Sequence, residues 1–163
     1  MDNISFRTIV LPLSDRLFRL ALRITMNRAE AEDVVQDTLL KVWEQRSQWE
    51  QINNLEAFAI AICRNRALDV MKRAGRNTAS LDKVDNGQWS MVNGQSALEA
   101  REQLSLVRKL MDGLPEIQRT IIHLRDIEGQ TYQEIAEALD ISETQVKVYL
   151  HRARTKIKKG YGL

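Results

Sequence analysis

The chain has 163 residues, of which 44% are apolar and 28% charged, with only seven glycines and two prolines; it can bury a core, favours helices, and is neither collagen-like nor disordered throughout. Its 24 basic and 22 acidic side chains leave a net charge of +2, so any affinity for nucleic acid must come from how the charge is distributed. One cysteine, Cys63, and two histidines, His123 and His151, exclude an intramolecular disulfide framework and a Cys/His metal site, and no cofactor is expected.

In chain order, the first residues, MDNISFRTIV, lack the basic and then apolar pattern of a leader, and no apolar run nears the roughly 20 residues that span a bilayer. A cytoplasmic protein without membrane insertion is expected. Leu13, Leu17, Leu20, Ala21 and Ile24 recur at three- and four-residue steps, and Ala31, Val34, Val35, Leu39, Val42 and Trp43 do the same, so each set forms one apolar helix face. Pro12 interrupts the opening run. The second helix is expected from Ala29–Ala31, with Glu30, Glu32 and Asp33 in its first turn, at the positive end of the helix dipole. A third run, Leu55 to Arg73, is expected to turn Phe58, Ala61, Ile62, Leu68 and Met71 inward and to end at Gly75. Cys63 is expected to pack in the core.

Residues 77–97, NTASLDKVDNGQWSMVNGQSA, break every periodicity and gather Asn, Ser, Gln, Asp and Gly. Such a stretch is uncommon inside a compact domain, and it is read as a linker; as a flexible coil its 21 residues average about 25 Å end to end and reach about 70 Å fully extended. The expected organisation is all-α: a helical domain over 1–76, the linker over 77–97, and a second helical domain over 98–163, opened by Leu104, Val107, Leu110 and Met111.

Two helix starts stand eleven residues apart in that second domain. Thr131 precedes Tyr-Gln-Glu134 and Ser142 precedes Glu-Thr-Gln145, and both fit the capping box, in which an N-cap hydroxyl and a third-position Glu or Gln satisfy each other's orphan amides. Ile135, Ala136 and Leu139 face inward from the short helix, Ile141 sits in the turn, and Val146, Leu150, Ala153 and Ile157 carry the buried face into the longer one. This is helix-turn-helix patterning, with Asp140 at the turn position that needs a left-handed backbone. The outward face of the second helix then offers Glu143, Thr144, Lys147, Val148, Tyr149, His151 and Arg152. From residue 141 onward there are six basic residues and one acid, whereas 101–140 carries five basic and eight acidic ones. A helix so placed can enter a major groove while its basic end holds phosphates.

Charge is polarised in the first domain too. Residues 30–44 carry five acids and one base, and residues 64–76 five bases and one acid, a pattern that suits a bridge between a basic protein surface and a nucleic acid. Trp49, beside the polar loop to Asn54, adds a candidate base-stacking group. His123 is expected on a helix surface and His151 on the phosphate side.

Three strings in this order, LFRLALRITMNRAEAEDVVQDTLLKVW, AFAIAICRNRALDVMKR and LPEIQRTIIHLRDIEGQTYQEIAEALDISETQVKVYLHRARTKIKK, resemble the bacterial RNA polymerase sigma factors of the extracytoplasmic-function (ECF) type. The resemblance implies two helical domains, sigma regions 2 and 4, and a protein that binds core polymerase, directs promoter-specific initiation and has no catalytic residues. It implies that Asp33, Gln36, Asp37 and Leu40, with Trp43 nearby, meet the polymerase clamp helices, and that the second domain meets the flap. It implies minus-ten contacts by Asn65, Asp69 and Arg73, with Arg64, Lys72 and Arg76 beside them, and a flipped minus-ten base held where Trp49 and the loop to Asn54 stand. Ser142 to Arg152 correspond to the helix that reads the minus-thirty-five element. An anti-sigma protein is a further implied partner. Where recognition helices of the family often read Gly-Thr-Val-Lys-Ser-Arg, this chain has Thr144 to Tyr149; Tyr149 replaces the guanine-reading Arg, and Val148 suits a thymine methyl.

Two other classes fit parts of the sequence. A stand-alone helix-turn-helix regulator would need a dimer to span half-sites, and no long apolar heptad provides a seam, so the unbound chain is expected to be a monomer. A nuclease built on Glu30, Asp33 and Asp37 lacks a histidine, a glycine loop and a second carboxylate cluster.

Overall fold

The computed structural model describes residues 6–75 and 95–162; they are helical throughout, with no strand among them. A π turn, Phe6–Val10, and a 3-10 turn, Leu11–Leu13, lead into helix α1, Ser14–Thr25. Pro12 lies in the first turn, where its missing N–H breaks no helical bond. Met26 ends α1 in a left-handed conformation (φ 56°). Asn27 then starts α2, Arg28–Glu44, by accepting a hydrogen bond from the Glu30 amide at 3.0 Å, one residue ahead of the expected start. After a 3-10 turn, Arg46–Gln51, the Asn54 side chain accepts from the Ala57 amide at 3.0 Å and caps α3, Leu55–Arg73. Gly75 follows at φ 69°.

Helices α1, α2 and α3 pack pairwise into the first bundle, whose centre holds Leu17, Leu20, Ile24, Val34, Val42, Ile60 and Cys63, all fully buried. Each large aliphatic side chain removed from water this way contributes about 1.5–3 kcal/mol. The inner stripe of α3 differs from expectation. Ala57, Ala59, Ile60, Cys63, Ala67 and Met71 are buried, while Phe58, Ala61, Ile62 and Leu68 are only half-buried. The reason is crowding: α3 packs on α1 and α2 and also on a helix of the second bundle, so small residues occupy the positions where neighbours converge.

The second bundle comprises α4, Gln95–Asp112; α5, Glu116–Ile122, continued by a π turn, His123–Ile127; α6, Tyr132–Leu139; and α7, Glu143–Tyr161. Both expected capping boxes are formed, Thr131 with Glu134 and Ser142 with Gln145, and Asp140 makes the left-handed turn between α6 and α7 at φ 56°. Ile135, Leu139, Val146, Leu150 and Ala153 close the angle between the two helices. Burial along α4 rises only toward its last turn: Met111 is buried, Val107 and Leu110 are half-buried, and Leu104, expected inside, is exposed. The bundles meet where α1 packs on α5 and its π turn, and α3 on α6. No described helix is long and apolar enough to cross a membrane.

Candidate nucleic-acid interface

On α7 the capping box fixes the first turn, and the buried row Val146, Leu150 and Ala153 fixes which way the helix faces. Glu143, Thr144, Lys147, Val148, His151 and Arg152 are therefore exposed together, with Tyr149 half-buried at the edge and Ser142 engaged as the cap. Lys147 places its ammonium 5.5 Å from the centre of the Tyr132 ring, which steadies it near the helix start. Arg154 is tied to Asp126, with a 3.1 Å bond from Nε.

The acidic face of α2 is likewise open: Asp33, Gln36, Asp37 and Leu40 are exposed, Leu40 at 56%. Trp43 is half-buried, with the Arg46 guanidinium 4.5 Å above its ring. A groove of about 600 Å³ separates this face from α3, lined by Asp37, Leu40, Ile62, Asn65, Arg66 and Asp69 among others. Arg66 crosses it, donating to Asp37 at 2.9 Å and to Asp69 at 3.2 Å.

The expected minus-ten residues separate into three groups. Asn65, Lys72 and Arg73 are exposed along α3, Arg73 pairing with Asp69 at 3.2 Å. Asn54 caps the helix, and Arg64 is half-buried against Glu116 of α5, donating from Nε at 3.0 Å and from Nη2 at 2.6 Å. Trp49 departs from expectation. It is 3% exposed, its indole N–H donates to the Val42 carbonyl at 2.9 Å, and its ring stacks on Phe6 with centroids 6.1 Å apart and an 8° tilt. Its faces are covered by its own bundle, so it is a core residue that closes the α2 end rather than a stacking platform. Arg76 lies outside the described residues.

Sequence reasoning missed a polar network between the bundles. Glu128, in the turn before α6, accepts from Arg19 Nε at 2.7 Å and Nη2 at 2.8 Å, and pairs with Arg16 at 3.3 Å. Arg16 also pairs with Glu56, which accepts from Gln130 at 2.8 Å. His123, expected at a surface, is buried at 1% exposure. Its Nε2 lies 3.1 Å from Glu128 and its Nδ1 3.5 Å from Arg23 Nε, contacts that a neutral, Nε2-protonated ring satisfies together. Burial, outweighing the hydrogen bond to Glu128, pushes the His123 pKa down, with the nearby Arg23 acting in the same direction. Burial alone would raise Glu128, but hydrogen bonds from Arg19 and His123 overcome it and hold the carboxyl at about 2. One signal for this network was present: Arg16, Arg19 and Arg23 recur at helical spacing on α1. Their acidic partners lie far along the chain, Glu56 at 40 residues from Arg16 and Glu128 at 109 from Arg19, and carry no local pattern.

Comparison with known proteins follows the same division. Residues 9–77 match sigma-70 region 2 and residues 104–157 match sigma-70 region 4. The ferric citrate uptake sigma factor FecI of Escherichia coli is 30% identical over 128 residues, 76% of this chain and 72% of that protein. The ECF RNA polymerase sigma factor SigE of Mycolicibacterium smegmatis is 28% identical over 156 residues; the match takes in 94% of this chain but spans only 60% of the length of that relative. Among solved structures, the sigma factor RpoE of Bartonella quintana, in complex with the anti-sigma factor NepR, superposes with a TM-score of 0.72 at 26% identity over 97% of each chain. Two region matches in the right order, the relation to FecI and a shared arrangement of helices lead to one conclusion: the chain belongs to the sigma-70 family, among its ECF sigma factors.

Proposed function

We propose that this chain acts in the cytoplasm as an initiation factor that binds core RNA polymerase, places it at promoters and helps open the DNA, without covalent chemistry of its own. The observation that carries the reading is the orientation of α7: its caps and buried row leave Lys147, Val148, His151 and Arg152 in solvent on one face, the arrangement a recognition helix needs to enter a major groove. In this reading residues 98–163 form the minus-thirty-five domain and residues 1–76 the domain that meets core and the minus-ten element, with 77–97 as the connection. Asp33, Gln36, Asp37 and Leu40 supply an acidic, partly apolar face for the polymerase clamp helices. Asn65, Lys72 and Arg73 supply the α3 surface for the minus-ten strand. Melting then follows from differential binding, since capture of unpaired bases favours the open state. RpoE of Bartonella quintana is held by an anti-sigma factor, and a protein of that class is proposed as a regulator here.

The test is transcription in vitro with purified core polymerase on a library of upstream fragments. Chain-dependent initiation from a small set of start sites is expected. Sequence-specific DNA binding by the chain alone, with no effect on core, would replace this reading with a stand-alone regulator.

A further inference from the structure

Helix α4 leaves part of its apolar stripe uncovered. Leu104 is 54% exposed and Val107 half-buried, and both line a groove of about 650 Å³ that Leu22 and Met26 of α1, Ile127 of the turn after α5 and Ile157 of α7 also line. That volume lies within the roughly 300–1,000 Å³ of sites that enclose most of a small ligand, and such sites pair apolar walls with a few placed polar groups. The charge along this groove is one-sided, with five arginines and one lysine against two aspartates. Three of those arginines already hold carboxylates: Arg19 holds Glu128, Arg28 holds Glu32 at 3.3 Å, and Arg154 holds Asp126. Arg23 is different. It reaches Asp112 only at 3.5 Å and His123 Nδ1 only at 3.5 Å, both long for a charge-assisted bond. Asp112 is buried and is shared with Arg119, a fully buried guanidinium that donates from Nη1 to the Asp112 carbonyl at 3.0 Å. Arg119 Nε and Nη2 have no hydrogen-bond partner among the described residues. Glu116 also acts on Arg119 but is itself gripped by Arg64. Burial lowers the Arg23 pKa, Asp112 opposes that and Arg108 adds to it. Two buried guanidiniums on one carboxylate leave positive charge in excess where charges need partners.

We propose that this groove binds a free single-chain amphipathic anion of the fatty carboxylate class, with its chain along Leu22, Met26, Leu104, Val107, Ile127 and Ile157 and its one anionic group on Arg23. A single anionic group, rather than the row of acids on a peptide, completes the charge, because Arg19, Arg28 and Arg154 are already matched. The groove lies apart from the acidic face of α2 and from the exposed Lys147, Val148, His151 and Arg152 of α7, so the inference does not rest on the function proposed above.

The experiment is isothermal titration calorimetry of the full chain with decanoate below its micelle concentration. Leu104→Asp alters the groove wall, Arg23→Gln removes the charge at the head, and Leu106→Asp is the control, at an exposed position of the same helix outside the groove. Circular dichroism on each variant confirms that it is folded, and Leu104→Asp, at an exposed position, carries the test if Arg23→Gln is not. Decanoate is expected to bind the wild type and the control at a single site. Octanoate should bind about tenfold more weakly, since two fewer methylenes are buried, and 1-decanol about tenfold more weakly, since it brings no charge to Arg23. Leu104→Asp and Arg23→Gln should each weaken decanoate by about tenfold. No binding of decanoate, or equal binding by Leu104→Asp and Leu106→Asp, overturns the site. Equal binding of decanoate and 1-decanol, or a folded Arg23→Gln with unchanged affinity, overturns the anionic head. Capture of the chain by phosphatidylglycerol vesicles without decanoate binding would assign the groove to a membrane surface, and a dimer broken by Leu104→Asp would assign it to a second copy; either result overturns the free anion.

Discussion

Helices α3 and α7 carry similar side chains to opposite effect. Along α7, Lys147, Arg152, Lys156, Lys158 and Lys159 project into solvent, and Arg154 is tied down by Asp126. Along α3, Arg64 is held by Glu116, Arg66 by Asp37 and Asp69, and Arg73 by Asp69. A basic run therefore states what a helix could hold, while its partners, near or far in sequence, decide what it can hold at a given moment. The face proposed to meet the minus-thirty-five element is open, and part of the face proposed to meet the minus-ten element is engaged by the chain's own carboxylates.

The largest expected effect tests the interior of the first bundle. Trp49→Ala should cost about 3–5 kcal/mol of unfolding free energy, because the indole fills the space among Phe6, Trp43 and Val42. Denaturant titration reads it, and a stable variant defective only in DNA binding would return Trp49 to the nucleic-acid surface.

Acid should act next, through the junction between the bundles. The His123 pKa is lowered from its ordinary 6.5, so the folded chain resists a proton that the unfolded chain accepts, and stability is full above pH 6.5 and declines below it. Glu128 is held at about 2 against an ordinary 4.5, so its stabilisation is complete above pH 4.5 and is lost as the pH falls toward 2. Thermal unfolding followed from pH 8 to 4 should show a decline that starts below pH 6.5, and His123→Gln should flatten that first part. A flat profile down to pH 4.5 would contradict the assignment of a neutral, buried His123.

Thr131→Ala and Ser142→Ala should each cost about 1 kcal/mol, since each removes a reciprocal cap. The smallest effects discriminate the two helices most finely. Lys147→Ala and Arg152→Ala should each lower the slope of log affinity against log salt by about one, whereas Arg66→Ala, whose guanidinium is already held by two carboxylates, should leave it unchanged. Equal losses from all three would erase the distinction between α3 and α7.

The legible features were those whose cause is local. Helix α3 runs over the expected Leu55–Arg73 because Asn54 and Gly75 punctuate it, and both capping boxes of the helix-turn-helix form as their three-residue spacing predicts. What the sequence did not disclose depends on partners far along the chain. Trp49 reads as a loop aromatic until Phe6 is folded over it. His123 reads as exposed until α1 brings Arg23 against it and the following turn folds Glu128 back onto it. The Arg19–Glu128 pair joins residues 109 positions apart, a separation at which periodicity carries no information.

The acidic face of α2 is the surface proposed to bind core RNA polymerase. Its most direct test is size-exclusion co-migration of the purified chain with bacterial core polymerase, with Asp33→Arg in parallel. Asp33 is exposed on α2, so the reversal should leave the fold intact. Stoichiometric co-migration of the wild type and none of the variant is the expected result; equal co-migration of both would remove this face from the interface, and co-migration of neither with a cognate core would contradict the proposed function.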